Sequence, residues 1–217
     1  SYLLILIISF DNLPTFEELE NPNYNQASLI YSNDLSVMGK FYNENREFLL
    51  YDSLNPYLVQ CLLSTEDSRY YNHSGIDSWA LIRVFFKTLL LSKEESGGGS
   101  TITQQLAKLL FERPNLKGKS KLVRTMMMVR VKLKEWLTAV KLEKGYTKEE
   151  IIAMYLNKFD FIYEAHGVQT AAKTYFGKDQ KDLRLDEAAM LVGMLKNPTL
   201  YNPKKFPDLA KERRNTV

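Results

Sequence analysis

The sequence predicts a mainly α-helical protein, on three observations. Helix breakers and caps at Gly75, Pro114, Gly145, Gly177, Asn197 and Pro198 divide the chain after residue 55 into segments of helical length. Thr101, followed three residues later by Gln104, has the form of a capping box. The segment 121–144 gathers Leu122, Val129, Leu133, Trp136 and Val140 on one side of a helical projection, which predicts its core stripe. With 217 residues, 45% apolar and 25% charged, the chain is neither disordered nor fibrous and can form one large or two small packed units.

Taken in order, residues 2–8, YLLILII, are apolar but far short of the roughly 20 residues that cross a bilayer. Residues 1–10 are read as the end of a truncated transmembrane helix, a buried strand being the other reading. Residues 11–27, rich in Asn, Pro and Glu, predict a linker, and ASLIYS and REFLLYD predict a small β-hairpin within 11–55. Helices are then expected over Pro56–Tyr70, Ser78–Leu91, Thr101–Phe111, Lys121–Lys144, Lys148–Asn157, Gly167–Phe176, Asp186–Leu195 and Pro207–Arg214. The last of these carries no stop signal before Val217, so the chain reads as a fragment.

Composition limits the chemistry. The single cysteine, Cys61, lies in LVQCLL, which excludes an internal disulfide and points to a buried thiol. Two histidines and one cysteine exclude a thiolate zinc site, so a metal would be held by carboxylates and the substrate's own oxygens. A net charge of +3 gives no argument for nucleic acid, while Lys117–Lys121 and Arg213–Arg214 suit smaller anionic partners.

Three stretches carry candidate chemistry. In Gly97–Leu110, GGGSTITQQLAKLL, a glycine run feeds a helix start near Ile102. Unpaired N–H groups there, with Ser100, Thr101, Thr103, Gln104, Gln105 and Lys108, suit a phosphate or pyrophosphate, although such a stretch alone reads first as a flexible surface loop with an ordinary cap. Glu66 and Asp67 close the first helix just before a polar, aromatic turn, and the apolar run ahead of them argues for partial burial rather than a solvated surface pair. On the long helix, Glu135 projects about 20° from Arg124, with Lys121 and Lys132 about 60° and 80° away, opposite the core stripe. Met127, Met128 and Val131 interleave with these charges, a mixture that suits an amphiphile with an anionic head or, more plainly, a solvated outer face.

Together these segments resemble glycosyltransferase family 51, the peptidoglycan polymerase domain of class A penicillin-binding proteins and monofunctional transglycosylases. Five motifs stand in the family's order: EDSRYYNHSG at 66–75, GGSTITQQ at 98–105, KLKE at 132–135, KEEIIAMYLN at 148–157 and GVQTAAKTYFGK at 167–178. The resemblance implies a lysozyme-like helical head and a smaller, membrane-associated jaw lobe with a cleft between them, residues 56–217 forming the glycosyltransferase domain and about 76–120 the jaw. Within Ser78–Leu91, Trp79, Leu81, Ile82, Phe85, Phe86 and Leu89 suit the jaw, with Arg83 and Lys87 reaching lipid phosphates.

The resemblance also implies a reaction, polymerisation of lipid II into glycan strands with inversion and release of undecaprenyl pyrophosphate. By it Glu66 is the general base with Asp67 beside it. Glu135 is the second carboxylate, helping to hold the pyrophosphate or a divalent cation on it. Ser100, Gln104, Gln105, Lys108 and Lys132 form the donor-phosphate cradle, and Tyr155 and Asn157 brace the site. Mg²⁺ or another divalent cation is expected only through the substrate pyrophosphate, none being tightly bound. The implied partners are lipid II, the growing glycan chain, the membrane and other cell-wall synthesis proteins. The implied location is the cytoplasmic membrane, single-pass, with the catalytic domain on its outer face and a transpeptidase domain after Val217. Where the family carries basic residues, this chain has Val131 and Met127, and Ala153 replaces a common Glu. Arg124, on Glu135's side of the helix, is the expected substitute, whereas Arg130 points elsewhere. A lytic muramidase or a catalytically silent cell-wall scaffold are the alternatives.

Overall fold

Helices dominate the computed structural model, which describes residues 28–31, 33, 37–41, 47–83, 99–111 and 114–217. The apolar run at 2–8, the linker at 11–27 and the second half of the expected helix at 78–91 lie outside those residues. Two compact units are present, one containing Arg69–Ile151 and one combining Asn23–Ser68 with Ile152–Val217. The segment at 76–120 falls within the first.

In the second unit, β1 (Ser28–Tyr31) and β2 (Val37–Phe41) pair antiparallel, Ser28 opposite Phe41 and Tyr31 opposite Val37. The strand expected at REFLLYD does not form: residues 47–50 are irregular and Tyr51–Ser53 is a short 3-10 turn. Its hydrogen bonds go to a side chain instead. Asn157 Oδ1 accepts from Leu49 N–H at 3.0 Å and Asn157 Nδ2 donates to Leu49 C=O at 2.7 Å, so one amide does the work of a neighbouring strand.

Helix α1 (Pro56–Glu66) begins where Asn55 accepts from Tyr57 N–H and Pro56 presets the first turn. It buries Leu58, Val59, Cys61 and Leu62 and packs on α6 (Leu185–Leu195). The latter is buried on almost every side, through Ala188, Ala189, Leu191, Val192, Met194 and Leu195, because α1, α5 (Val168–Phe176) and α7 (Pro207–Thr216) all lie against it. Each fully buried Leu, Val or Met side chain contributes about 1.5–3 kcal/mol, so α6 is a main support of this unit. Gly167 caps the start of α5 with φ +83, and a Cβ there would lie 2.8 Å from Asn157 C=O, so only glycine fits.

In the first unit the turn Tyr70–Asn72 leads to helical residues 78–83, capped by Asp77 Oδ1 on Ala80 N–H at 3.1 Å. Helix α2 (Ile102–Leu109) packs on α3 (Lys121–Gly145). Helix α4 (Lys148–Lys158) begins in this unit and ends in the other. The expected core stripe of α3 is corrected: Leu122 and Val129 are exposed, Leu133, Trp136 and Val140 only partly covered, and the buried residues are Glu135, Thr138, Ala139 and Leu142. The helix is turned by about half a revolution from the face that apolarity alone selects. The reason lies in its partner, since Ile102, Leu106 and Ala107 of α2 need a closely approaching surface, which small Ala139 and Thr138 provide, and Thr103 bonds Glu143 at 2.5 Å.

Candidate active site

In the first unit the first two motifs meet at Gly75. Its φ of +88 turns the chain, and a Cβ would lie 2.9 Å from Ala139 C=O, so α3 passes where no side chain can stand. The Gly75 carbonyl accepts from Thr101 Oγ1 at 2.7 Å and from Gln104 Nε2 at 3.3 Å. Thr101 also caps α2 by accepting from Gln104 N–H at 3.2 Å. Of the residues expected to hold an anion, Thr101, Thr103 and Gln104 are therefore buried and tie α2 to its surroundings. Gln104 contributes its side chain to Gly75 and not to the second half of a capping box.

Beside this joint, Lys132 brings two motifs together. Its ammonium donates to Ser100 Oγ at 3.0 Å and to Glu135 Oε2 at 2.8 Å. Glu135 is buried and Lys132 is 42% exposed, so a fixed cation faces outward from a buried carboxylate at the start of α2. Gln105 is half-buried and Lys108 exposed on the same helix. Arg124 lies elsewhere: it is exposed, its Nε donates to Lys119 C=O at 2.9 Å, and eleven residues of helix separate it from Glu135 by about 16 Å. A second network lies deeper. Lys148 Nζ donates to Glu143 and to His73 C=O and sits 4.2 Å above the Tyr70 ring, which gives the polar turn of the first motif its support.

In the second unit Glu66 ends α1 and Asp67 caps it, the first half-buried and the second buried. Glu66 Oε1 accepts from Arg213 Nη2 of α7 at 3.3 Å. Tyr155, also buried, has its phenol pKa raised, first by burial and then by the negative charge of Glu66, so it stands near that carboxylate as a neutral hydroxyl. Asn157 is fully buried with both ends of its amide on Leu49. Sequence reading grouped Arg213 with Arg214 as a basic cluster; 147 residues from Glu66, it offers no spacing that marks the pair. Among the described residues no group of three or more His, Cys, Asp or Glu side chains that could hold a metal ion is assembled, and no helix is long and apolar enough to cross a membrane.

Comparison with known proteins places these residues in context. The family described as transglycosylase matches residues 34–217. The chain is 37% identical over 205 residues to penicillin-binding protein 1A of Escherichia coli, covering 94% of this chain and 23% of that protein. It is 37% identical over 215 residues to penicillin-binding protein 1A of Aquifex aeolicus, covering 99% and 28%, and 35% identical over 191 residues to penicillin-binding protein 1F of Bacillus subtilis, covering 88% and 25%. The chain thus spans about a quarter of the length of these relatives. With the match running through all five motifs, the chain belongs to the transglycosylase family, glycosyltransferase family 51.

Proposed function

We propose that this chain is a peptidoglycan glycosyltransferase domain that polymerises lipid II. The acceptor's GlcNAc 4-hydroxyl attacks the anomeric carbon of the growing chain's lipid-linked MurNAc. The hydroxyl proton passes to the Glu66 carboxylate, the bond to the pyrophosphate breaks, and configuration inverts as undecaprenyl pyrophosphate leaves. General base assistance of this kind contributes about 10²–10⁴ in rate. The charge that develops on the leaving pyrophosphate is met by Lys132, with Ser100, Gln105 and Lys108 as further donors and Glu135 as the group that holds the ammonium in place.

The observation that carries this reading is the Lys132 ammonium held between Ser100 Oγ and Glu135 Oε2. A hydrolase that cleaves finished glycan needs no such anion site, whereas a transferase with a pyrophosphate leaving group does. Asp67 and Tyr155 shape the surroundings of the base, and Asn157 braces the chain behind it. Thr101 and Gln104 act by holding α2, and Arg124 serves the lipid-linked phosphate end from further along α3. A divalent cation, Mg²⁺ included, would come on the pyrophosphate oxygens of the substrate, hard oxygen ligands of the kind Mg²⁺ prefers.

The jaw is assigned to the first unit, on exposed Trp79 and Ile82 and on Leu122, Val123, Met126, Met128 and Val129 of α3. These alternate with exposed Lys119, Lys121, Arg124 and Arg130, a pattern suited to the headgroup region of a bilayer. With the family resemblance this supports a place at the outer face of the cytoplasmic membrane, single-pass, with lipid II, the glycan chain and other cell-wall synthesis proteins as partners. Incubating the domain with labelled lipid II, with and without Mg²⁺, and sizing the product tests the reading. Glycan chains that vanish with Glu66→Gln support it. Muropeptides released from sacculi without polymer from lipid II would identify a muramidase, and neither product would identify a scaffold.

A further inference from the structure

We infer that Arg213 is a positioning residue for the general base, an inference that rests on the proposed role of Glu66. Helices α1 and α7 each pack on α6. Glu66 stands at the end of α1 and Arg213 in the last turns of α7. Their side chains are 16% and 14% exposed and meet at 3.3 Å.

The path of Arg213 is built into the packing. Its stem crosses α6 at Gly193, where an added Cβ would lie only 3.1 Å from Arg213 Cγ. Its guanidinium carbon lies 6.0 Å from the centre of the Tyr201 ring, within range of a cation–π contact. Its Nε is buried and has no hydrogen-bond partner among the described residues, so packing against Gly193 and Tyr201, together with Glu66, sets the guanidinium's place.

A carboxylate that must reach an incoming hydroxyl gains from this. Glu66 is the last residue of α1, where several rotamers would be open to an unrestrained side chain. The contact of Arg213 Nη2 with Oε1 ties the Glu66 side chain to α7 and narrows the orientations from which the carboxylate can meet an incoming hydroxyl. Arg213 touches no reacting atom in this arrangement; it acts by aiming the base. Misplacement of a reacting group by about 1 Å costs on the order of 100-fold in rate.

The test uses the domain with labelled lipid II. Arg213→Gln is expected to lower kcat by about 10- to 100-fold with KM for lipid II nearly unchanged. Arg213→Lys retains the charge and is expected to retain most of the rate. In Arg213→Ala, added guanidinium ion is expected to restore kcat, and urea, its uncharged counterpart, is not. An unchanged kcat in a folded Arg213→Gln protein, a loss confined to KM, or equal recovery with urea would each overturn the inference. Should Arg213→Gln fail to fold, the guanidinium arm on Arg213→Ala and the rate of Arg213→Lys decide it in the same terms. If the unaltered domain makes glycan and Glu66→Gln abolishes it while the Arg213 variants keep full kcat, only the positioning role falls. If the unaltered domain makes no glycan, the proposed function falls with it.

Discussion

The two candidate carboxylates are held by cations in opposite ways. Glu135 receives Lys132 from one turn earlier on the same helix, and Ser100 completes the group. Glu66 receives Arg213 from a different helix, through packing on a third. The first arrangement is local and survives small movements of the surrounding helices, because the helix itself sets the spacing. The second depends on every contact that seats α1 and α7 on α6. By this difference the proposed anion-binding side should tolerate movement of its surroundings better than the proposed base side does.

The comparison can be broken at either end. The largest effect is expected for Lys132→Met, which removes the proposed leaving-group cation and should lower kcat for lipid II polymerisation by about 10²–10³, read from initial rates of labelled glycan. Ser100→Ala should cost less than about 10-fold, because Glu135 still holds the ammonium; a larger loss would mean that the hydroxyl itself serves the substrate.

Stability variants sharpen the same contrast. Gly167→Ala places a Cβ against Asn157 C=O in a left-handed backbone and should lower unfolding free energy by about 2–4 kcal/mol in urea titration. Asn157→Ala leaves both backbone groups of Leu49 without their partner and should cost about 2–4 kcal/mol. The smallest change is a gain. Ile162, Tyr163 and Glu164 all have φ between 52° and 61°, and for β-branched Ile162 this is a strained backbone. Ile162→Gly should stabilise by about 1 kcal/mol, measured by the same titration, and an unchanged midpoint would show that the turn carries no such strain.

Much of the helical layout was readable because caps and breakers act locally. Thr101, Gly167, Gly177 and Asn55 mark helix ends through their own backbone preferences and short-range bonds, which require no partner far along the chain. The spacing of Lys132 and Glu135 is equally local. By contrast, REFLLYD has the composition of a strand, but the group that satisfies Leu49 is an amide 108 residues away. The face of α3 was misread for a similar cause. Apolarity selected Leu122 and Val129, whereas the nearest partner, α2, required the small side chains of Ala139 and Thr138.

The sequence by itself therefore determined the family, the helical class and the five chemical motifs, since each depends on residues close together along the chain. Only the tertiary structure decided that Gly75 is the joint of the first unit and that Arg213 belongs to Glu66. The physical reason is that close approach and burial are properties of surfaces brought together by folding. No periodicity in one helix encodes which side chain of another will lie within 3.3 Å of it.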